Sequence, residues 1–229
     1  ICKLVSKPKG HCVSKRIRVT ECLDYFMEPE LVKWIENNSK AKRKAISDEA
    51  LRIGTTVDQL IQLDIRQSDQ PKPIILDNDK IKVGNCMRAW ETFKKDNPTF
   101  LDSIYDIQPE LIWQEVMGHP DIIIKHLDKF DGDWGVIDIK TSSAIRPKYW
   151  TQVSAYCWLQ KMMNTTWKEP SLIGILRLDK VTGLYEYKTI QYPSYIDYEI
   201  DVFQAYLKAY QHHEKNRETL RLQLEKEKL

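Results

Sequence analysis

Trp134-Gly135-Val136-Ile137-Asp138-Ile139-Lys140 decides how this chain is read. An apolar run that ends in two charged residues has the composition of a buried strand whose last turns reach a site. Successive side chains on a strand point to opposite faces, so Asp138 and Lys140 share one face, roughly 6 to 7 Å apart at their Cα atoms. The intervening Ile139 points the other way, into the core, and its carbonyl lies between the two charges.

The neighbours of this strand extend the pattern. Asp121-Ile122-Ile123-Ile124-Lys125-His126-Leu127 is rich in β-branched residues, and the Asp131-Gly132 pair after it favours a tight hairpin turn. With those two residues at the centre of the turn, Asp121 faces Ser142, diagonal to Lys140, and shares the face of Asp138 and Lys140. A one-residue slip of register would turn Asp121 to the other face. Upstream stand Glu115 and Gly118-His119-Pro120-Asp121; downstream, Gln152 and Tyr156 lie four apart on one face of a helix that opens at Pro147.

A carboxylate pair beside an ammonium suits metal-assisted hydrolysis of a phosphodiester. Magnesium takes oxygen ligands and keeps several waters, so one or two carboxylates and a substrate phosphate suffice. The ion lowers the pKa of a bound water and offsets charge on the phosphorus oxygens. Asp121, Asp138 and the Ile139 carbonyl are the candidate ligands for Mg2+ or Mn2+, and Lys140 the group that orients the water. An Asp-x-Lys triplet alone proves little: Glu186-Tyr187-Lys188 has the same form without an upstream Gly-x-x-Asp or a downstream helix.

The full set, Glu115, Gly118-x-x-Asp121, Asp138-x-Lys140-Thr141 and Gln152-x-x-x-Tyr156, resembles the PD-(D/E)XK nuclease superfamily over about residues 50 to 160. Within it the chain is similar to the RecB-type branch, which includes the CRISPR adaptation nucleases and the mitochondrial genome maintenance exonuclease. The resemblance implies metal ligation by Asp121 and Asp138, a catalytic Lys140, an extra acid at Glu115, and Gln152 and Tyr156 on a helix near the DNA. It implies a restriction-endonuclease-like α/β core, a small mixed sheet flanked by helices. It also implies a metal-dependent DNA nuclease of repair or recombination, an exonuclease before a site-specific endonuclease. Two alternatives stand beside it: a structure-specific endonuclease of recombination or CRISPR-type adaptation, and an inactive DNA-binding module on the same fold.

Two positions depart from the branch. Gly54-Thr55-Thr56-Val57-Asp58 has Asp58 where a metal-ligating His is usual, and Asp58 reads either as an oxygen ligand or as a solvated helix residue. The cysteines, Cys2, Cys12, Cys22, Cys86 and Cys157, lack the close spacing of an iron-sulfur cluster, so none is expected. The adjacent His212 and His213 point to different sides of a helix, which argues against zinc. The odd cysteine count favours a reducing, intracellular compartment.

At 229 residues the chain is long enough for one domain, read as a helical cap or channel over 1–100, the sheet core over 101–192, and a C-terminal helix over 193–229. No apolar run spans a membrane, and the charges and Pro8 near the start do not suit a secretory signal. The formal net charge is only +2, so DNA, single-stranded or with free ends, has to be held by a local groove. Arg146, Lys148 and Trp150 are candidates for it, with Lys40, Lys42, Arg43, Lys44, Tyr149 and Lys161; each is equally an ordinary surface residue. Two short helices meeting at Pro29, helices over 41–66 and 79–95, strands over 111–117, 120–127, 134–141, 171–179 and 184–191, and a helix over 195–227 complete the expected layout. Ser47 or Asp48 stand as cap signals within the second of these helical stretches.

Overall fold

The structure, a computed structural model, describes residues 16–26, 29–125, 134–191 and 193–226. Short elements open it: strand β1 (Ile17–Arg18) and helices α1 (Val19–Asp24) and α2 (Pro29–Glu36). Helix α3 (Lys40–Ile65) is continuous past Ser47 and Asp48. Its cap is Ser39, whose hydroxyl accepts from Lys42 N–H, while Asp48 is drawn into a 2.6 Å ion pair with Lys44. Helix α4 (Lys80–Asp96) follows the loop around Pro71 and Pro73.

A five-stranded mixed sheet forms the centre, with β2 (Ile104–Ile107), β5 (Ile122–Lys125), β6 (Trp134–Lys140), β7 (Leu172–Leu178) and β8 (Tyr185–Ile190) in the order β2-β5-β6-β7-β8. Within this sheet only β6 and β7 run parallel among the described residues, and helix α5 (Pro147–Met163) makes the crossover between them. The expected strand over 111–117 is two strands, β3 (Leu111–Trp113) and β4 (Val116–Gly118), folded back at Gln114, whose φ is 53°. With β1 they form a separate small sheet, so the main sheet starts at Ile104, not at Leu111. Helix α6 (Pro193–Lys226) buries Ile196, Phe203, Leu207 and Tyr210, the stripe its spacing forecasts.

Alternation along β5 and β6 divides the core in two. Ile123, Trp134 and Val136 face a cluster built with α1, α5 and α6; Ile122, Ile124 and Ile137 face a second cluster built with α3 and α4. A mixed sheet is thus covered by helices on both faces, with helices ahead of it and a long helix behind. Even-numbered β6 residues look toward α5, and this puts Asp138 and Lys140 over that helix.

The β5–β6 register differs from the expected one. Ile122 pairs with Ile137 and Lys125 with Trp134, so Asp121 comes abreast of Asp138 rather than Ser142. The displacement is four residues. An even displacement keeps every side chain on its face, and Asp121 therefore stays on the side of Asp138 and Lys140. The Asp131-Gly132 turn lies outside the described residues.

Candidate active site

Asp138 is 1 % exposed. Its Oδ1 faces Gln152 Nε2 at 3.4 Å, and its Oδ2 forms a close ion pair with Lys140 Nζ, the only partner of that oxygen among the described residues. Lys140 lies 5.1 Å from the centre of the Tyr149 ring, which offers its face to the ammonium. Burial disfavours the Lys140 charge, yet the Asp138 and Asp121 carboxylates outweigh it and raise the pKa above its ordinary value.

Asp121 reaches the same place from the neighbouring strand. Its Oδ2 accepts the Ile139 N–H at 2.6 Å, so the carboxylate lies against the peptide between Asp138 and Lys140. Its own carbonyl accepts the Gln108 N–H at 3.0 Å. Some surface of Asp121 stays open, but dense packing and then the Asp138 carboxylate push its pKa well up, with Asp58 adding to this while Lys140 and the Ile139 N–H pull the other way.

A stability test follows from that crowding. In the metal-free protein near neutral pH, Asp121→Asn is expected to raise Tm. An acid whose folded pKa lies above its unfolded value of about 4 contributes fully while protonated, and that contribution fades as pH rises through the folded pKa. Asparagine mimics the protonated acid, so wild type and variant should converge below about pH 4 and separate above it. Each kcal/mol of relief is worth about 2–4 °C at this chain length. Melting curves in EDTA that coincide at every pH would contradict the crowding.

Gln152 and Tyr156 stand one helical turn apart on α5, and Gln152 Nε2 donates to Tyr156 Oη at 2.9 Å. Both are buried, so they support Asp138 from behind rather than present themselves at the surface. Gly118 makes room for the Tyr156 ring. A Cβ there would fall 2.6 Å from Tyr156 Cε1, closer than carbon atoms pack, which gives the glycine of the Gly-x-x-Asp motif a steric reason. Burial, and then Asp138, raise the Tyr156 pKa, so its hydroxyl stays protonated and able to donate.

Asp58 is turned toward two amides. Gln108 Nε2 donates to both of its oxygens at 2.8 Å, and Gln62 Nε2 donates to Oδ2 at 2.9 Å. Burial chiefly raises its pKa, and these two bonds lower it. Asp58 is thus linked to Asp121 through Gln108, which carries a positive φ of 52° immediately before Pro109. A non-glycine residue held there is a strained position that its bonds must maintain. Nothing in the sequence marks Gln108, since a residue before proline ordinarily reads as extended.

Glu115, at the β3–β4 turn, is bonded through its side chain to Gln211 on α6. Lys148 pairs with Asp24 at 3.0 Å, Lys161 pairs with Glu169, and Trp150 packs half-buried against the α5–α6 cluster. Arg146 is the N-cap residue of α5. The Glu186-Tyr187-Lys188 triplet is an ion-pair ladder, with Glu186 held by Arg177 at 2.9 Å and by Lys188 at 2.8 Å. Cys22, Cys86 and Cys157 are buried free thiols, and burial lifts the first two to about 12.

The donor set suits a hard divalent cation. Asp121 and Asp138 are adjacent carboxylates whose repulsion Lys140 only partly offsets, and the Ile139 peptide lies between them. No three His, Cys, Asp or Glu side chains come together among the described residues, so the protein's share would be two carboxylates and a carbonyl. Magnesium accepts such a share because it retains waters.

No family model matches the sequence, and no curated protein is similar to it. Among solved structures the chain is similar to SSO0001, with a TM-score of 0.38 and 14% identity over 87% of this chain and 78% of that one. It is also similar to LHK-Exo in complex with dAMP, with a TM-score of 0.39 and 12% identity over 90% of this chain and 94% of that one. Both overlaps are loose. Among the described residues no helix is long and apolar enough to cross a membrane.

Proposed function

We propose that the chain is a DNA nuclease of the PD-(D/E)XK type, dependent on magnesium or manganese and acting as an exonuclease. The observation that carries this reading is the 2.6 Å bond from Ile139 N–H to Asp121 Oδ2, which sets a second carboxylate beside Asp138 and Lys140 although the two acids are seventeen residues apart. The alternative of an inactive relic draws on Asp58. Its side chain is engaged by Gln62 and Gln108, and the two-carboxylate set is complete without it.

Asp121, Asp138 and the Ile139 carbonyl would hold the ion, which when bound supplies an activated water and compensates charge on the phosphate. Lys140, fixed by Asp138 and backed by Tyr149, holds a proton-bearing ammonium next to the reacting phosphate and stabilises the negative charge that grows on it. Gln152 and Tyr156 keep the Asp138 carboxylate oriented. Gln108 holds Asp121 by its backbone N–H, with Asp58 anchoring its side chain. The buried floor of the site lowers the local dielectric, so each of these charges acts more strongly than it would in water.

Incubation with end-labelled linear DNA and with covalently closed circles, in Mg2+ or Mn2+, tests this. Short products released progressively from linear DNA, with circles intact, are expected. Cleavage of the circles would replace the exonuclease reading with the endonuclease one, and no cleavage of either with any divalent cation would reject catalysis.

A further inference from the structure

The geometry points to a track for a single nucleic-acid strand along the free edge of β2, leading away from the Asp121–Asp138 site; this rests on the nuclease reading and specifies its substrate. Three observations place it. Asp58 and Gln62 on α3 and Arg66, its C-cap residue, recur every four residues and so line one side of it. Arg66 Nη2 donates to the Ile107 carbonyl at 3.3 Å, tying α3 to β2, and Arg66 borders two clefts, one of 290 Å³ shared with Gln62 and one of 330 Å³ shared with Tyr105 and Ile107. Gln62, which donates to Asp58, thus borders the first cleft, Ile107 and Tyr105 border the second, and Arg66 is common to both.

At the far end stands an aromatic platform. The β2–β5 register passes from Ile104 with Ile124 to Asp106 with Ile123, so Tyr105 occupies a bulge, where a side chain is re-aimed out of the sheet. Tyr105 is 54 % exposed. Its ring meets Trp167 edge-on at 5.3 Å, and Lys125 Nζ lies 5.3 Å from the Tyr105 ring centre and 5.2 Å from that of Trp167.

Charge selects the occupant. Lys94, Arg177 and Lys148 each have a carboxylate partner, but no carboxylate pairs with Arg66 or Lys125 among the described residues. Asp106 borders the second cleft with Arg66, and one of its oxygens is taken by the Ile107 N–H at 2.7 Å. Two cations that no carboxylate pairs with among the described residues, and an exposed ring, fit a strand whose phosphates meet Arg66 and Lys125 and whose unpaired base stacks on Tyr105. A duplex, with its bases already stacked, does not offer that face.

The test is fluorescence anisotropy of a labelled single-stranded dT oligonucleotide and of a duplex of equal length, in EDTA. Tyr105→Ala is expected to weaken single-strand binding by about 5- to 100-fold and Tyr105→Phe to keep it. Arg66→Gln should lower affinity and reduce the slope of log K against log salt by about one. Turnover of thymidine 5′-monophosphate p-nitrophenyl ester with Mn2+ is read in parallel: a loss in Tyr105→Ala smaller than its loss of single-strand binding is expected, and an equal loss would place Tyr105 in the Asp121–Asp138 site and overturn the track. Unaltered single-strand binding in both Tyr105→Ala and Arg66→Gln, or an equal loss for duplex, overturns the track. Tyr105-dependent binding in a protein that cleaves nothing would leave the track standing and reject the nuclease.

Discussion

Replacing Lys140 by Ala is expected to lower cleavage of linear DNA by about 10²- to 10³-fold, through kcat rather than KM, while binding of Mn2+ persists or tightens. The magnitude is that of removing one preorganised donor from a site of growing negative charge. The separation of effects follows from where Lys140 stands. It is not among the oxygen donors, but its ammonium is the closest offset to the Asp138 charge and also pulls on Asp121. Without it the two carboxylates are less compensated, and a divalent cation gains from that. Lys140→Arg should not restore the rate, because a planar guanidinium cannot replace a compact ammonium packed between Asp138 and the Tyr149 ring. Single-turnover rates at saturating Mn2+ measure the loss, and undiminished cleavage would reject the assigned site.

Asp138→Asn is expected to cost more, about 10³-fold or beyond, and to abolish metal binding together with activity. Asparagine has the same shape, and its oxygen can still face Gln152, so the fold should persist. What disappears is a buried negative charge, and with it several kcal/mol of charge stabilisation supplied when the ion is held. The two variants therefore separate by their metal affinity: retained in Lys140→Ala, lost in Asp138→Asn. Identical behaviour of both would mean that the pair acts as a structural ion bridge.

Much of this site is legible in sequence because it depends on periodicity. The alternation on β6 sets Asp138 and Lys140 on one face, and four-residue spacing sets Gln152 under Tyr156; neither needs knowledge of distant contacts. The register of β5 against β6 is different, because it depends on the geometry of the connection. Asp121 pairs four positions away from where a tight Asp131-Gly132 turn would put it, and keeps its face only because four is even.

What sequence did not disclose was set by tertiary contacts. Ile104-Tyr105-Asp106-Ile107 is too short, too exposed and too irregular at its bulge to show a strand pattern, yet it is the edge of the main sheet. The chain reverses at Gln114 with no glycine, asparagine or proline to announce it. Gln108 takes a left-handed backbone because Asp121 and Asp58 hold it there. Glu115 stands close to Gly118 in sequence, but from the β3–β4 turn its side chain bonds to Gln211.

Calorimetric titration of the metal-free protein with Mn2+, beside the same titration of Asp138→Asn, tests most directly whether Asp121 and Asp138 form an ion site. Saturable binding by the wild type that vanishes in the variant is the predicted result. No binding by the wild type, or equal binding by both proteins, would contradict it.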